Sequence, residues 1–227
     1  MTTEDEATYS YAEKAGAWDI GLDPSDSTTV SALNEAADHA TGAFVDAFAE
    51  IGTLEYAEGT LTEIADDGRI LSVRSEIPLV EQDGRFRPAP DAQPAVLTER
   101  AVLSSAILTY TVTVRQTDAE NNSKTLTGGL FFYYDSGLSG LVGQPAASDG
   151  AFARVDVEVD PWLDTPIHGG KFLDNRTIAA LNRPRLENAL RRWETATGKP
   201  IDHQTSVPYP ALVDRYGFRA GGEPDPP

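Results

Sequence analysis

The middle of the chain alternates apolar and polar residues over successive segments, and this pattern constrains the fold more than any other feature. In residues 71–79 the apolar positions are Leu71, Val73, Ile77 and Leu79. A period of two is typical of a strand with one buried face. Asp66-Asp67-Gly68 before this segment and residues 82–85 after it are typical of hairpin turns. The pattern therefore predicts that residues 54–64 and 71–79 are neighbouring antiparallel strands.

Three later segments extend this pattern. Residues 96–116 place six apolar side chains on one face: Val102, Ala106, Leu108, Tyr110, Val112 and Val114. At about 3.3 Å per residue this run exceeds a typical strand, so we expect a bend or bulge near Ser104-Ser105. Residues 124–134 and 151–159 predict two further strands. The prolines at 88, 90 and 94 predict a loop that cannot join a central strand.

Two regions are predicted to be helical. In residues 28–51 apolar side chains recur every three or four positions, with Asp26, Ser27 or Thr28 as possible caps and Gly52 as the end. Residues 174–181 predict a short helix. Asn182 is expected to cap a second helix, with Pro184 in its first turn and its end at Gly198.

Together these elements predict an α+β fold. We expect a curved, mainly antiparallel sheet of about five strands, with an N-terminal helix and a C-terminal helix pair packed on it. Residues 27–200 are predicted to form a single domain. Residues 1–26 are predicted to be an N-terminal arm, and residues 201–227 a C-terminal extended arm.

The charge balance is strongly acidic, with 36 Asp and Glu against 18 Lys and Arg and a net charge of −18. Such a charge destabilises a compact chain by self-repulsion, which molar salt screens. Arginine outnumbers lysine, which occurs only at positions 14, 124, 171 and 199. This composition is typical of a salt-in halophile, such as a haloarchaeon or one of its viruses. An acidic protein of a high-GC bacterium is the alternative.

The expected location is a virion or the cytoplasm of a halophile. No run of 18 apolar residues predicts a spanning helix, and the acidic N-terminus lacks the apolar core of a signal peptide. We therefore expect no contact with a membrane. A net charge of −18 also disfavours nucleic acid as a partner.

The charges are distributed unevenly along the chain. Residues 1–68 carry 16 acidic residues and one basic residue, whereas residues 171–219 carry five acidic and nine basic residues. These two segments are electrostatically complementary. They could meet within one chain or between neighbouring copies.

Catalytic motifs have little support. The absence of cysteine excludes disulfides and thiolate catalysis. His39, His168 and His203 lack metal-ligand spacing, and Ser139 lies outside a Gly-x-Ser-x-Gly elbow. Asp156, Glu158 and Asp160 share a strand face and could ligate a hard cation, although a solvated face is the expected interpretation. We predict no catalytic residue, no metal and no cofactor, and a protein that is not an enzyme.

The expected function is that of a structural or assembly subunit, a capsid or tail component of a haloarchaeal virus. Isolated terminal arms could not bury enough apolar surface to become ordered, so their aromatic residues are expected to contact other copies or other subunits of the same assembly. The predicted partner-binding residues are Tyr9, Tyr11, Trp18, Arg183, Arg185, Arg191, Arg192, Tyr209, Tyr216 and Phe218.

The alternative is a cone-shaped α+β domain that binds or transforms a small molecule. Its pocket would lie under the sheet. The predicted lining is Phe131, Tyr133, Tyr110 and Trp162, with Asp135 or His168 as the polar group.

Overall fold

The computed structural model describes residues 11–22, 29–91, 99–116, 123–148, 150–168, 171–172, 174–205 and 211–221. The helices are α1 Val30–Phe48 and α2 Arg176–Thr197. The strands are β1 Tyr11–Gly21, β2 Gly52–Ile64, β3 Ile70–Gln82, β4 Arg85–Pro88, β5 Ala101–Arg115, β6 Ser123–Asp135, β7 Leu138–Ser139, β8 Ala147–Ser148, β9 Phe152–Val159, β10 Ile167–His168, β11 Lys171–Phe172, β12 Ile201–His203, β13 Val213–Asp214 and β14 Gly217–Phe218. Neither helix is long and apolar enough to cross a membrane.

Within the described residues, eight strands form one antiparallel sheet in the order β12-β1-β9-β6-β5-β2-β3-β4. The α+β class and the antiparallel sheet are confirmed, but the predicted number of about five strands is wrong. The additional strands include β1 and β12, which lie in the predicted arms, and β4, which lies at one edge. Pro88 is compatible with β4 because an edge strand leaves one row of backbone groups unpaired.

Residues 11–21 form a strand within the sheet and are not the extended arm that the sequence predicts. β1 pairs with β9 on one side and with β12 on the other, so that Trp18 lies between Val155 and His203. Ala15, Ala17, Trp18 and Ile20 are all fully buried. Since consecutive residues of β1 are buried, its sequence lacks the alternation that identifies a strand with one solvated face.

The C-terminal helical region is one continuous helix rather than the predicted pair. Pro184 lies inside α2 and removes the donor for the carbonyl of Ala180, an exposed residue at which solvent can donate instead. Asn182 does not cap a helix. Its side chain accepts from the amide of Arg115 and donates to the Arg115 carbonyl, both at 2.9 Å, and so joins α2 to the end of β5.

A helix is present within the predicted residues 28–51 but is shorter, Val30–Phe48, and the predicted bulge in β5 is confirmed. Thr29, one residue beyond the expected caps, accepts a hydrogen bond from the amide of Ala32. In β5, Ser105 pairs with Thr60 and Leu103 pairs with Leu61, which leaves Ser104 as the extra residue of a bulge. The buried Ser104 hydroxyl donates to the carbonyl of Thr60 at 3.1 Å.

Gly52 has a different role from the one predicted. Helix α1 already ends at Phe48, and Gly52 is the first residue of β2. A Cβ atom at this position would collide with the carbonyl oxygen of Thr111 on β5. Glycine is therefore required because two strand backbones approach each other closely.

An aromatic cluster fills the space between the helices and the sheet. The Phe44 ring of α1 stacks on Phe132 of β6 at 4.3 Å and on Phe48 at 4.5 Å. Trp193 of α2 contacts Phe44, Phe48 and Phe132 edge-on at 6.2–6.4 Å. Because Phe132 contacts both helices, α1 and α2 pack on the same face of the sheet.

Replacement of Phe44 by alanine should destabilise the protein strongly. Loss of the central ring leaves a cavity between α1, α2 and the sheet, so the free energy of unfolding should fall by about 3–5 kcal/mol. Urea denaturation monitored by circular dichroism measures this change. Tyr56→Ala removes a ring that is 48% exposed and should change stability by less than about 0.5 kcal/mol. Equal losses in the two variants would contradict the central position of Phe44.

Candidate functional site

A cleft of about 380 Å³ opens between α2 and the β13–β14 hairpin, and we call it the arginine cleft. Its lining residues are Arg183, Glu187, Arg191, His203, Asp214, Arg215, Tyr216, Phe218 and Arg219. Four guanidinium groups and two carboxylates line the cleft, and Asp164 and Glu194 pair with Arg183 and Arg215 from behind the lining. Each of the four arginines therefore has a carboxylate partner within its own chain.

Helix periodicity and a tight hairpin position these side chains. Arg183, Glu187 and Arg191 are spaced by four residues on α2 and therefore lie on one face of the helix. Arg215 and Tyr216 form the turn between β13 and β14. Asp214 stabilises this turn because its carboxylate accepts a hydrogen bond from the Tyr216 amide at 3.0 Å.

The hairpin is anchored to the sheet by aromatic contacts. Phe218 packs edge-on against Trp18 at 5.6 Å and stacks on Trp162 at 6.5 Å. The indole Nε1 of Trp18 donates to the carbonyl of Asp214 at 2.8 Å. Because a Cβ at Gly16 would lie 2.8 Å from the Phe218 ring, glycine makes room for this contact.

These contacts correct the prediction for Trp18 and Phe218. Trp18 is completely buried and Phe218 is 8% exposed, in both cases within their own chain. The sequence suggested partner contacts because each residue lies in a segment with few apolar neighbours. The two segments instead cover each other's aromatic side chains.

Glu194 organises the other side of the hairpin. Its carboxylate accepts hydrogen bonds from the Tyr216 hydroxyl, from Arg215 and, at 3.1 Å, from the Ile201 amide. Burial raises the pKa of Glu194, but these three donors outweigh burial and the net pKa is lowered. The same hydrogen bond to Glu194 raises the pKa of Tyr216. Arg191 lies over the Tyr216 ring at 3.9 Å, a cation–π contact.

Arg183 and Asp164 form a largely buried ion pair behind the cleft. Their side chains lie 2.8 Å apart and are 16% and 9% exposed. Asp164 also accepts from the Gly221 amide at 2.7 Å. Burial raises the pKa of Asp164, while Arg183 and this amide lower it, and the net pKa is lowered. Arg183 thus has a structural partner within its own chain.

Arg185 and Arg192 lie outside the arginine cleft and bind the C-terminal end of α1. Arg192 donates to the Ala47 carbonyl at 2.8 Å and to the Glu50 carboxylate at 3.1 Å. Arg185 donates to the carbonyls of Thr113 and Glu50. Carbonyl groups at a helix C-terminus attract cations, so these two arginines stabilise the contact between the helices.

The other three arginines of the cleft have N–H groups that a ligand can reach. Arg191, Arg215 and Arg219 are about half exposed or more, and the Arg219 guanidinium lies 3.8 Å from its nearest carboxylate, on Asp214. A guanidinium has five N–H donors and matches the geometry of carboxylate and phosphate groups. The arginine cleft can therefore bind an anionic group.

Sequence reasoning located part of this site. Arg183, Arg191, Tyr216 and Phe218 were predicted and line the cleft, whereas His203, Arg215 and Arg219 were missed. The basic excess of residues 171–219 was the available signal for the two arginines. Tyr9 and Tyr209 lie outside the described residues, and Tyr11 is described only as the first residue of β1. Roles in partner binding stay predictions for the exposed residues.

The residues of the predicted small-molecule pocket do not converge. Tyr110 is buried against Phe44, under the helices, and Trp162 stacks on Phe218. Phe131 and Tyr133 alternate with buried Phe132 and Tyr134, which places them on the opposite face of the sheet. The aromatic cluster fills the centre of the helix-covered side of the sheet. A separate cleft of about 250 Å³ opens between α1 and strands β2, β4 and β5, and none of the predicted pocket residues lines it.

The predicted solvated face of β9 is also corrected. Asp156 is 5% exposed and Asp160 is 2% exposed, so both carboxylates are buried. Among the residues that the structure describes, no group of three or more histidine, aspartate or glutamate side chains could hold a metal ion.

Comparisons with known proteins give no relative: no family model, no curated protein and no solved structure matches the chain.

Replacement of Asp164 by asparagine should loosen the arginine cleft. The variant leaves Arg183 without its carboxylate in a largely buried position, so the free energy of unfolding should fall by about 2–3 kcal/mol. Urea denaturation measures the change. Asp174→Asn is the matched control, because Asp174 pairs with Arg176 on the same helix but both side chains are exposed. The control should leave stability nearly unchanged, and the reverse order would contradict a role for Asp164 in fixing the cleft.

Lowering the pH should weaken the contacts of Asp164 with Arg183 and Gly221 and those of Glu194 with the hairpin. Both pKa values are lower in the folded chain than the ordinary values of 3.8 and 4.5. The folded state therefore binds fewer protons than the unfolded state in this range. The stabilisation is present above the ordinary values and is lost as pH falls through the lowered pKa values.

Urea unfolding between about pH 2.5 and 6 tests this dependence. Protonation also reduces the self-repulsion of the chain, so wild type is compared with an Asp164→Asn/Glu194→Gln variant. The stability difference between them should be largest above about pH 5 and should shrink as the pH falls. A difference independent of pH would contradict the assigned ionisation.

Proposed function

We propose that the protein is a non-enzymatic structural or assembly subunit that binds an acidic surface of a neighbouring subunit in the arginine cleft. The observation that carries the proposal is the presence of four arginines in one cleft of an acidic chain. Exposed guanidinium groups in such a cleft would attract the carboxylates of an acidic neighbour.

The neighbouring subunit can be another copy of this chain. Residues 1–68 carry 16 acidic residues and one basic residue and therefore have the charge that the cleft attracts. Arg191, Arg215 and Arg219 would supply the exposed donors, and Tyr216 would supply an aromatic surface beside them. Carboxylates bound by guanidinium groups form strong, geometrically defined contacts.

The halophilic origin and the virion belong to the same proposal and rest on composition. A surface rich in carboxylates and poor in lysine suits molar salt, in which self-repulsion of the chain is screened. We propose a capsid or tail component of a haloarchaeal virus, because an assembly of acidic subunits needs local basic sites at which copies can meet.

The small-molecule alternative is less well supported. Its predicted residues lie on two faces of the sheet and beside the C-terminal hairpin, and stacked rings of Phe44, Phe48 and Phe132 occupy the space under the helices.

Replacement of Arg215 and Arg219 by glutamine should weaken association of the subunit. The double variant removes two exposed cationic groups from the cleft, and the apparent dissociation constant should rise roughly tenfold in about 0.2 M KCl. Light scattering coupled to size-exclusion chromatography measures the mass at several protein concentrations. In about 3 M KCl the difference between variant and wild type should shrink, because salt screens exposed ion pairs.

Arg85→Gln is the matched control for this experiment. Arg85 is 63% exposed and lies 3.6 Å from Asp38, which resembles Arg219 at 61% exposed and 3.8 Å from Asp214. Arg85 lies on β4, at the opposite edge of the sheet from β12. A chain that is monomeric at every concentration and salt, or that associates equally well with both sets of variants, would contradict the proposal.

A further inference from the structure

A second surface of the molecule is apolar, exposed and close to neutral. Six large apolar side chains are exposed among the described residues, and four of them belong to two adjoining segments: Leu71 and Val73 on β3, and Leu141 and Val142 in the loop after β7. They are 41–69% exposed. We call these four side chains the aliphatic patch.

Backbone hydrogen bonds hold the two segments together. The Ile70 amide donates to the carbonyl of Gln144 at 3.0 Å, and the Gly143 amide donates to the carbonyl of Ile70 at 2.8 Å. The Gln144 amide closes a turn by donating to the Leu141 carbonyl at 2.9 Å. The loop that carries Leu141 and Val142 is therefore fixed beside β3 in the isolated subunit.

The charges around the aliphatic patch cancel. Residues 136–148 contain no charged residue, although 24% of the chain is charged. In the turn before β3, Asp66 pairs with Arg100 and Asp67 pairs with Arg69, each at 2.7 Å. On β3 itself, Arg74 is followed by Glu76. This region is thus close to neutral on a molecule of net charge −18.

We propose that the aliphatic patch is a contact surface for a second copy of this chain, related by twofold symmetry. Two subunits of charge −18 repel each other, and the repulsion is smallest where neutral surfaces face each other. A twofold contact brings the same patch from each subunit together, so the apolar side chains of both become buried. The paired arginines and aspartates at its rim present both signs of charge to the copy.

This contact goes beyond the arginine cleft and responds differently to salt. Contacts between arginine and carboxylate weaken as salt screens them, whereas burial of aliphatic groups is maintained or strengthened by salting-out ions. In a subunit with both surfaces, the arginine cleft binds a different, acidic surface of its neighbour, whereas the aliphatic patch binds the same patch of another copy. Such a combination extends an assembly beyond a pair.

A Leu141→Ser/Val142→Ser variant tests the aliphatic patch. Both side chains lie at an exposed turn, so the fold should be retained, as circular dichroism and urea unfolding will show. Sedimentation equilibrium in about 0.2, 1 and 3 M KCl should show that the dimer dissociation constant rises by at least about tenfold. The loss should persist in 3 M KCl. Tyr56→Thr is the matched control, because it removes an exposed ring on β2, outside the aliphatic patch. This variant should leave the dimer dissociation constant unchanged.

Cross-linking gives a second measurement that does not depend on weakening the contact. The chain contains no cysteine, so Val142→Cys introduces a single thiol in the aliphatic patch. A bismaleimide should join two copies of this variant efficiently, and Tyr56→Cys should give little cross-linked product. Equal yields for the two cysteines would overturn the proposal.

The outcomes separate this inference from the proposed function. Association that depends on Leu141 and Val142 but not on Arg215 and Arg219 supports the aliphatic patch and contradicts a role for the arginine cleft between copies. Association that depends only on the two arginines overturns the aliphatic patch. A monomer at every protein and salt concentration overturns it as well.

Discussion

Phe218 lies between Trp18 and Trp162, and this contact joins the two ends of the described chain. The hydrogen bond from Trp18 to the Asp214 carbonyl, across 196 residues of sequence, forms at the same place. This packing holds one side of the β13–β14 hairpin against the sheet, while Glu194 and Arg191 of α2 hold the other side through Arg215 and Tyr216. The arginine cleft therefore depends on an aromatic contact that none of its arginines makes.

The uneven charge along the chain serves two purposes in the folded molecule. Part of the basic C-terminal region is used internally, where Arg185 and Arg192 bind the end of α1 and Arg183 pairs with Asp164. The remaining exposed arginines gather at the cleft. The acidic and basic segments meet within one chain where Arg192 pairs with Glu50, and Arg191, Arg215 and Arg219 stay about half exposed or more at the cleft.

The arginine cleft and the aliphatic patch provide two different physical means of association for an acidic protein. The cleft offers charge to an acidic neighbour, and the patch offers a neutral, apolar surface on which self-repulsion is small. Because salt weakens ion pairs and supports apolar burial, the relative weight of the two surfaces changes with the ionic strength.

Elements whose pattern is local could be predicted from the sequence. The stripe of α1, the β2–β3 hairpin, the presence of strand β9 and the bulge at Ser104 all follow from residues a few positions apart. Arg183, Arg191 and Tyr216 could be named as candidates because the C-terminal region is basic and carries isolated aromatic residues. Three features could be seen only in the folded chain: residues 11–21 form an internal strand, α2 continues through Pro184, and Arg215 and Arg219 complete a cleft. The burial of β1 and the position of the hairpin depend on contacts between the two ends of the described chain. A pattern of neighbouring residues cannot reveal contacts between residues so far apart in sequence.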